Sequence, residues 1–153
     1  MKLLLQRVIK ASVTVGSEPV GSIKRGLVVL AGIADGDTEA DVDFLSQKTI
    51  NLRIFDDSQG RLNLSVLDIK GELLIISQFT LLADTTKGRR PSFIEAASPE
   101  LADSLINRYV DNMRASGLVI ATGRFRQHMV VEIYNDGPVT IMLDSRDKNA
   151  GKI

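Results

Sequence analysis

Leu27-Val28-Val29-Leu30-Ala31-Gly32-Ile33 is an almost unbroken apolar run. It is far short of the roughly 18 apolar residues that a membrane span needs. It does not alternate between apolar and polar residues, as a strand with one wet face would. It predicts a strand buried on both faces. Glu72 to Leu82 (ELLIISQFTLL) predicts a second strong strand. Leu3 to Val15, rich in Val, Ile and Thr, predicts a third.

The segments around these strands are punctuated in a readable way. Gly16 and Pro19 mark a turn before a short strand near Val20. Asp35-Gly36 ends the central strand, and Thr38 can then cap a helix with Asp41 three residues on. Val42, Leu45, Thr49 and Leu52 recur at spacings of three and four, which gives that helix a mostly apolar face. Asp56 to Gly60 is a polar turn, and Ala83 to Ser98 is a long loop. Ser98-Pro99-Glu100 opens a second helix, with a cap, a proline at the first position and an acid in the first turn. Leu101, Leu105, Ile106, Tyr109 and Met113 mark its buried face, and Gly117 suits its end. Two last strands follow, Met129 to Tyr134 and Val139 to Leu143. Many strands and two main helices without strict alternation predict an α+β fold with a largely antiparallel sheet. A single domain is expected over residues 1–144, with 145–153 a polar, frayed tail.

Bulk composition narrows the chemistry. The 153 residues are 44% hydrophobic and 25% charged, as in a globular domain. Lys plus Arg and Asp plus Glu both number 19, so bulk charge does not attract nucleic acid, although one local basic patch remains compatible with it. There is no cysteine, which excludes disulfides, thiolate catalysis and Cys-ligated zinc and fits the cytoplasm. His128 is the single histidine, so a His-rich metal site is excluded. The opening residues have too short an apolar run for a signal peptide, and no membrane association is expected.

Several clusters have a functional and a plain reading. The acids Asp35, Asp37, Glu39, Asp41 and Asp43 could suggest calcium. An EF-hand loop starting at Asp35 would put Ala40 where glycine is required and Ser46 where the bidentate Glu belongs. Acids at a helix start are explained by the macrodipole. Ser77-Gln78-Phe79-Thr80 closes an apolar strand with two hydroxyls and an amide, either as a simple strand end or as a ligand site. These residues converge on one ligand only if the strand bends or ends there, because alternate residues face opposite sides. Asn135-Asp136-Gly137-Pro138 reads as a hairpin turn, or as a place where backbone approaches a ligand closely. Lys87, Arg89 and Arg90 are a solvated loop or a set of phosphate contacts. Arg124, Arg126 and His128 form a second basic group around Phe125, which can pack in the core or stack on a base. Nothing in the sequence pairs His128 with Ser77 or Thr80.

Taken in order, Leu5-Gln6-Arg7-Val8, Ala11-Ser12-Val13-Thr14-Val15, Ser77-Gln78-Phe79-Thr80-Leu81, Arg90-Pro91-Ser92-Phe93, Thr122-Gly123-Arg124-Phe125 and Asn135-Asp136-Gly137-Pro138-Val139-Thr140 resemble the D-aminoacyl-tRNA deacylase family over roughly Met1 to Leu143. The resemblance implies a barrel-like sheet and a homodimer acting on aminoacyl-tRNA, with active sites at the subunit interface and no cofactor or metal. Ser77, Gln78, Phe79 and Thr80 would be the catalytic segment. Gly137 and Pro138 of the other subunit, joined by a cis bond, would fill with backbone carbonyls the space an L side chain needs. Arg7 would hold that segment, Phe125 and Met129 would line the pocket, and Lys87, Arg89 and Arg90 would contact the tRNA. An aminoacyl ester is labile, so positioning and oxyanion stabilisation can supply the rate without a strong nucleophile. Thr80 lacks an obvious base, which favours attack by water.

Two other classes compete. One is a non-catalytic nucleic-acid-binding module on the same fold, which should show a broad basic face interleaved with aromatics. The zero net charge and 5% aromatic content weigh against it. The other is a hydrolase of a small-molecule ester, which would leave the Lys87–Arg90 loop without a role.

Overall fold

The computed structural model describes residues 1–149. Its strands are β1 (Lys2–Val15), β2 (Glu18–Ile23), β3 (Gly26–Gly32), β4 (Phe55–Asp56), β5 (Leu62–Leu64), β6 (Glu72–Ser77), β7 (Ile120–Thr122) and β8 (Val130–Asp144). The helices are α1 (Glu39–Asn51) and α2 (Pro99–Ala115). No helix among the described residues is long and apolar enough to cross a membrane.

β1 organises the sheet. β8 pairs antiparallel with it from end to end, from Lys2↔Asp144 to Thr14↔Val130. β3 and then β2 follow one another along its opposite edge, also antiparallel. The ladders β3–β6 and β6–β7 are parallel, so the sheet is largely antiparallel, as expected, with a parallel part. Parallel neighbours need a crossover. α1 lies between β3 and β6 in the chain and α2 between β6 and β7, so each helix serves one crossover. The sheet curls until β2 reaches β7: a Cβ built on Gly21 would sit 3.0 Å from the Thr122 carbonyl oxygen. The barrel is nearly closed.

The unalternating apolar runs of β3 and β6 are explained by two cores. Leu27, Val29, Ala31, Leu73 and Ile75 face a layer shared with Leu45 of α1 and Tyr109 and Met113 of α2. Val28, Leu74 and Ile76 face the inside of the curl with Val8, Ala11, Val13 and Ile23. β1 contributes to both layers because its register against β8 is irregular around Val8–Lys10. An extra residue there reverses which side chains point inward.

Both helices begin where their caps predict. The Asp41 carboxylate accepts from the Thr38 N–H at 2.8 Å and from the Thr38 hydroxyl at 2.9 Å. The Ser98 hydroxyl accepts from the Leu101 N–H at 3.3 Å. The acids of the 37–43 cluster all have protein partners: Asp37 the Met1 ammonium, Glu39 Arg108, Asp41 Lys148, and Asp43 Arg108 and Asn112.

Other expectations need correction. Pro19 lies within β2 rather than in the turn, which is formed by Gly16 at φ +59°. The strand expected through Leu82 stops at Ser77, and Phe79–Leu82 is a 3-10 helix. The two last strands are one, β8. β7 and the small β4–β5 ribbon were not expected. The tail is not frayed at its start. Ser145–Asn149 forms a 3-10 helix, with Ser145 buried and the Lys148 ammonium 2.7 Å from Asp41. Residues 150–153 lie outside the described residues.

Candidate functional site

Ser77 is the last residue of β6, and the chain then turns sharply. The Gln78 N–H donates to the Ala31 carbonyl at 2.7 Å, the last link to β3. Gly32 makes the turn feasible, because a Cβ there would sit 2.9 Å from the Gln78 carbonyl oxygen and 3.1 Å from Leu81 Cβ. The Gln78 side-chain amide donates to the Thr80 hydroxyl, which orients both groups. The N–H groups of Phe79 and Thr80 start the 3-10 helix and so have no acceptor within it. They take no other acceptor among the described residues. Two backbone donors at a strand end, beside a fixed amide and hydroxyl, can hold a carbonyl oxygen on which negative charge develops.

This segment opens onto a cavity of about 740 Å³. Ser77, Gln78 and Phe79 form one wall, Ala96, Ala97 and Ala102 the side toward α2, and Phe125 and Met129 a third wall. Phe79 is 58% exposed and meets Phe93 edge to face with centroids 5.0 Å apart. Phe93, Arg126 and Gln127 also belong to the wall; the sequence showed the first only as part of the Arg90-Pro91-Ser92-Phe93 signature, the second only as part of a basic group, and the third not at all. His128 also lines the cavity, without a hydrogen bond to Ser77 or Thr80 among the described residues.

The 123–129 loop is shaped by three contacts. A Cβ on Gly123 would collide with Met129 Sδ, so glycine lets Met129 lie flat. Arg126 adopts φ +63°, a left-handed conformation that costs a non-glycine residue energy. The Arg124 guanidinium grips Glu18 at 3.0 and 2.7 Å. That hydrogen-bonded cation holds the Glu18 carboxyl below its usual range.

Arg7, Gly137 and Pro138 are brought together, but not onto the wall of this cavity. Five residues of β8 span only two of β1 between Gln6↔Thr140 and Val8↔Asn135. Both flanks keep the same partner strand, so Asn135–Pro138 is an outward bulge in one strand rather than a hairpin turn between two. Asn135 closes it: its Oδ1 accepts from the Val139 N–H at 2.8 Å and its amide donates to Thr140 Oγ1 at 3.0 Å. Arg7, 6% exposed, donates from Nε to the Asp136 carbonyl at 2.9 Å and from its terminal nitrogen to the Ile54 carbonyl at 3.0 Å. Gly137 and Pro138 are exposed, and the bond between them is cis. Gly137 has φ +134°, and a Cβ there would meet Arg7 at 3.0 Å.

A family model described as D-Tyr-tRNA(Tyr) deacylase matches residues 4–144. The chain belongs to that family. Proteins named D-aminoacyl-tRNA deacylase resemble it closely. The one from Dehalococcoides mccartyi strain BAV1 is 58% identical over 97% of each chain. The one from Natranaerobius thermophilus is 57% identical over 97% of this chain and 99% of its own. Among solved structures, the c-Myc DNA Unwinding Element Binding Protein superposes with a TM-score of 0.88 at 42% identity, covering 94% of this chain and 98% of its own. A structure described as a "probable eukaryotic D-amino acid tRNA deacylase" shares the fold, with a TM-score of 0.79 at 17% identity. It covers 93% of this chain and 97% of its own.

The deacylase-family segments thus fall into three places on this chain. Ser77, Gln78, Phe79, Phe125 and Met129 line the cavity, and exposed Thr80 follows Phe79 without belonging to that lining. Arg7, Gly137 and Pro138 form the bulge. Lys87, Arg89 and Arg90 occupy an exposed loop whose base is pinned by the paired backbones of Asp84 and Ser92 at 2.8 and 2.9 Å. The Thr86 N–H caps the Asp84 carboxylate at 2.9 Å and holds it below its ordinary range. None of the three cations makes an ion pair among the described residues, so all are free to meet an anion.

Proposed function

We propose that this chain hydrolyses the ester of D-aminoacyl-tRNA, and of mischarged glycyl-tRNA, releasing free tRNA and the amino acid. Besides family membership, the observation that carries the reading is the end of β6. Two unengaged N–H groups, a fixed amide and a hydroxyl stand at the mouth of a cavity walled by aromatics and Met129. The ester carbonyl rests against the Phe79 and Thr80 N–H groups. Water adds to the carbonyl carbon, the neighbouring ribose 2′-hydroxyl assists, and the bond to the ribose oxygen breaks as that oxygen takes a proton. The protein contributes position and charge stabilisation rather than a nucleophile. No cofactor or metal takes part.

Selection by chirality comes from a second copy of the chain. In a homodimer, the Gly137–Pro138 bulge of the partner subunit closes the cavity, and its backbone carbonyls occupy the space of an L side chain. Glycine, lacking a side chain, passes. Three features support this arrangement. The bulge is exposed, it does not line the cavity of its own chain, and it is fastened by both Arg7 and Asn135. Lys87, Arg89 and Arg90 hold tRNA phosphates. The substrate assigns the protein to quality control of translation in the cytoplasm.

A second reading, nucleic-acid binding without turnover, is favoured by the likeness to a protein named for binding a DNA element. The zero net charge weighs against it. One tRNA charged separately with D-tyrosine and L-tyrosine separates the readings. Release of the D-ester alone is expected. Release of both removes the chirality model, and binding of tRNA or duplex DNA with release of neither supports the second reading.

A further inference from the structure

Beside the main cavity lies a smaller one of about 130 Å³, walled by α2 on one side and the ends of β6 and β7 on the other. Ser77, Ile106 and Phe125 line both, so the two are contiguous. Their chemistry differs. The small cavity is mostly polar, and five side chains on its wall carry donors or acceptors: Ser77, Asp103, Asn107, Arg114 and Thr122. Among the described residues, the side chains of Ser77, Asp103, Asn107 and Thr122 make no hydrogen bond to another side chain or to backbone. Arg114 has only an exposed i,i+3 contact of 3.8 Å with Asp111, which contributes little. A set of polar groups without protein partners is served by water or by a polar ligand.

Asp103, Asn107 and Arg114 fall on one stripe of α2, since residues four and seven apart share a face. At about 1.5 Å per residue the stripe spans roughly 16 Å from Asp103 to Arg114. The acceptors Asp103 and Asn107 therefore lie toward one end of the stripe and the Arg114 cation toward the other. A sugar joined to a phosphate presents hydroxyls and an anion in the same order. Asp103 and Asn107 suit ribose hydroxyls, and Arg114 suits a phosphate oxygen. The volume is that of about four molecules of liquid water, so the slot holds part of a sugar-phosphate unit and leaves no room for a nucleobase as well.

We propose that this polar slot holds the ribose-phosphate backbone immediately 5′ to the acylated nucleotide of the tRNA, with Arg114 on the phosphate. This rests on the deacylase reading of the Ser77–Thr80 cavity. If the acylated end sits there, the preceding unit leaves past Phe125 and along α2. The slot then distinguishes an RNA strand from a bare acylated nucleoside.

The experiment compares wild type, Arg114→Ala and Arg114→Lys on two esters: D-tyrosyl-tRNA, and D-tyrosyl-adenosine, which has no preceding phosphate. Arg114 is exposed, so neither variant threatens folding. On D-tyrosyl-tRNA, Arg114→Ala is expected to raise KM several-fold and to reduce the salt dependence of kcat/KM by about 0.7 in log–log slope, the value for one phosphate contact of a single strand. Arg114→Lys should recover most of that slope. Hydrolysis of D-tyrosyl-adenosine should be unchanged in both variants. Equal losses on the two esters, or an unchanged salt slope with tRNA, overturns the proposal while leaving the deacylase reading intact. A wild-type protein that hydrolyses neither ester overturns both.

Discussion

Replacing Arg7 tests the structure most directly, because one guanidinium ties three segments together. Its Nε serves the Asp136 carbonyl of the β8 bulge at 2.9 Å, and a terminal nitrogen serves the Ile54 carbonyl before β4 at 3.0 Å. The carboxylates of Asp56 and Asp136 lie farther off, at 3.6 and 3.7 Å, and are half exposed. They add little. Each charge-assisted hydrogen bond contributes about 1.5–3 kcal/mol, and the side chain is 6% exposed, so solvent replaces neither easily. Arg7→Met keeps the apolar stem and removes both bonds, at a cost of about 3–5 kcal/mol. Arg7→Lys keeps the charge but not the fork, and it should cost about half as much because a single ammonium serves one carbonyl at a time. Urea unfolding reads this out. With an m-value of about 1.5 kcal/mol/M, the Met variant should lose about 2–3 M in midpoint with its slope unchanged. A midpoint within about 0.5 M of wild type would refute the reasoning. Since Arg7 fastens the bulge that is proposed to exclude L side chains, the Lys variant should also release L-tyrosine from tRNA faster than wild type does.

Gly26→Ala places a Cβ against the backbone carbonyl and nitrogen of Glu72, where β3 and β6 begin to pair, and no side chain can rotate aside. The expected loss is at least about 3 kcal/mol by chemical denaturation. Burial opposes ionisation of Asp41, but hydrogen bonds from Lys148 and from the N–H and hydroxyl of Thr38 outweigh it and hold the carboxyl well below the usual range. Its folded value lies below its unfolded one, so the stabilisation is complete above about pH 4 and is lost as pH falls further. Asp41→Asn should therefore lower the thermal midpoint at neutral pH and flatten its decline below about pH 4. Thr80→Ala should retain D-tyrosyl-tRNA hydrolysis within about tenfold, the cost of one positioning hydrogen bond. Complete loss of turnover with unchanged tRNA affinity would instead make Thr80 the nucleophile.

What could be read from the sequence was whatever local chemistry settles by itself. Thr38 with Asp41, and Ser98 with Pro99, announced both helices because the cap chemistry lies within one turn. The doubly buried strands were legible in Leu27–Ile33 because no alternation meant no wet face. Pairing partners were not legible. The apolar run of β6 is the same whether its neighbour runs parallel or antiparallel, and the crossover by α1 decides. Asp136-Gly137 carries the same signal in a tight turn and in a bulge, and only the continued pairing of both flanks with β1 tells them apart. The three residues of β7 are too few for any period. At the site, Ser77–Thr80 was visible as polarity misplaced at the end of an apolar strand. Asn135 was visible only as a turn former, and its work in closing the bulge depends on geometry four residues away.

The pairing of β1 with β8 along their whole lengths has a consequence for how the chain reaches its native state. Leu3 pairs with Leu143 and Val13 with Val131, so the strand that organises the sheet is completed by residues made more than a hundred positions later. Such distant contacts must overcome the entropy of closing a very long loop before they contribute anything, and they slow folding. During synthesis β1 can settle against β2 and β3 early, but its other edge stays open until β8 emerges. An open strand edge recruits other strands. Chains stalled before Val130 should therefore associate with one another, and the full-length chain should commit to its fold late and all at once.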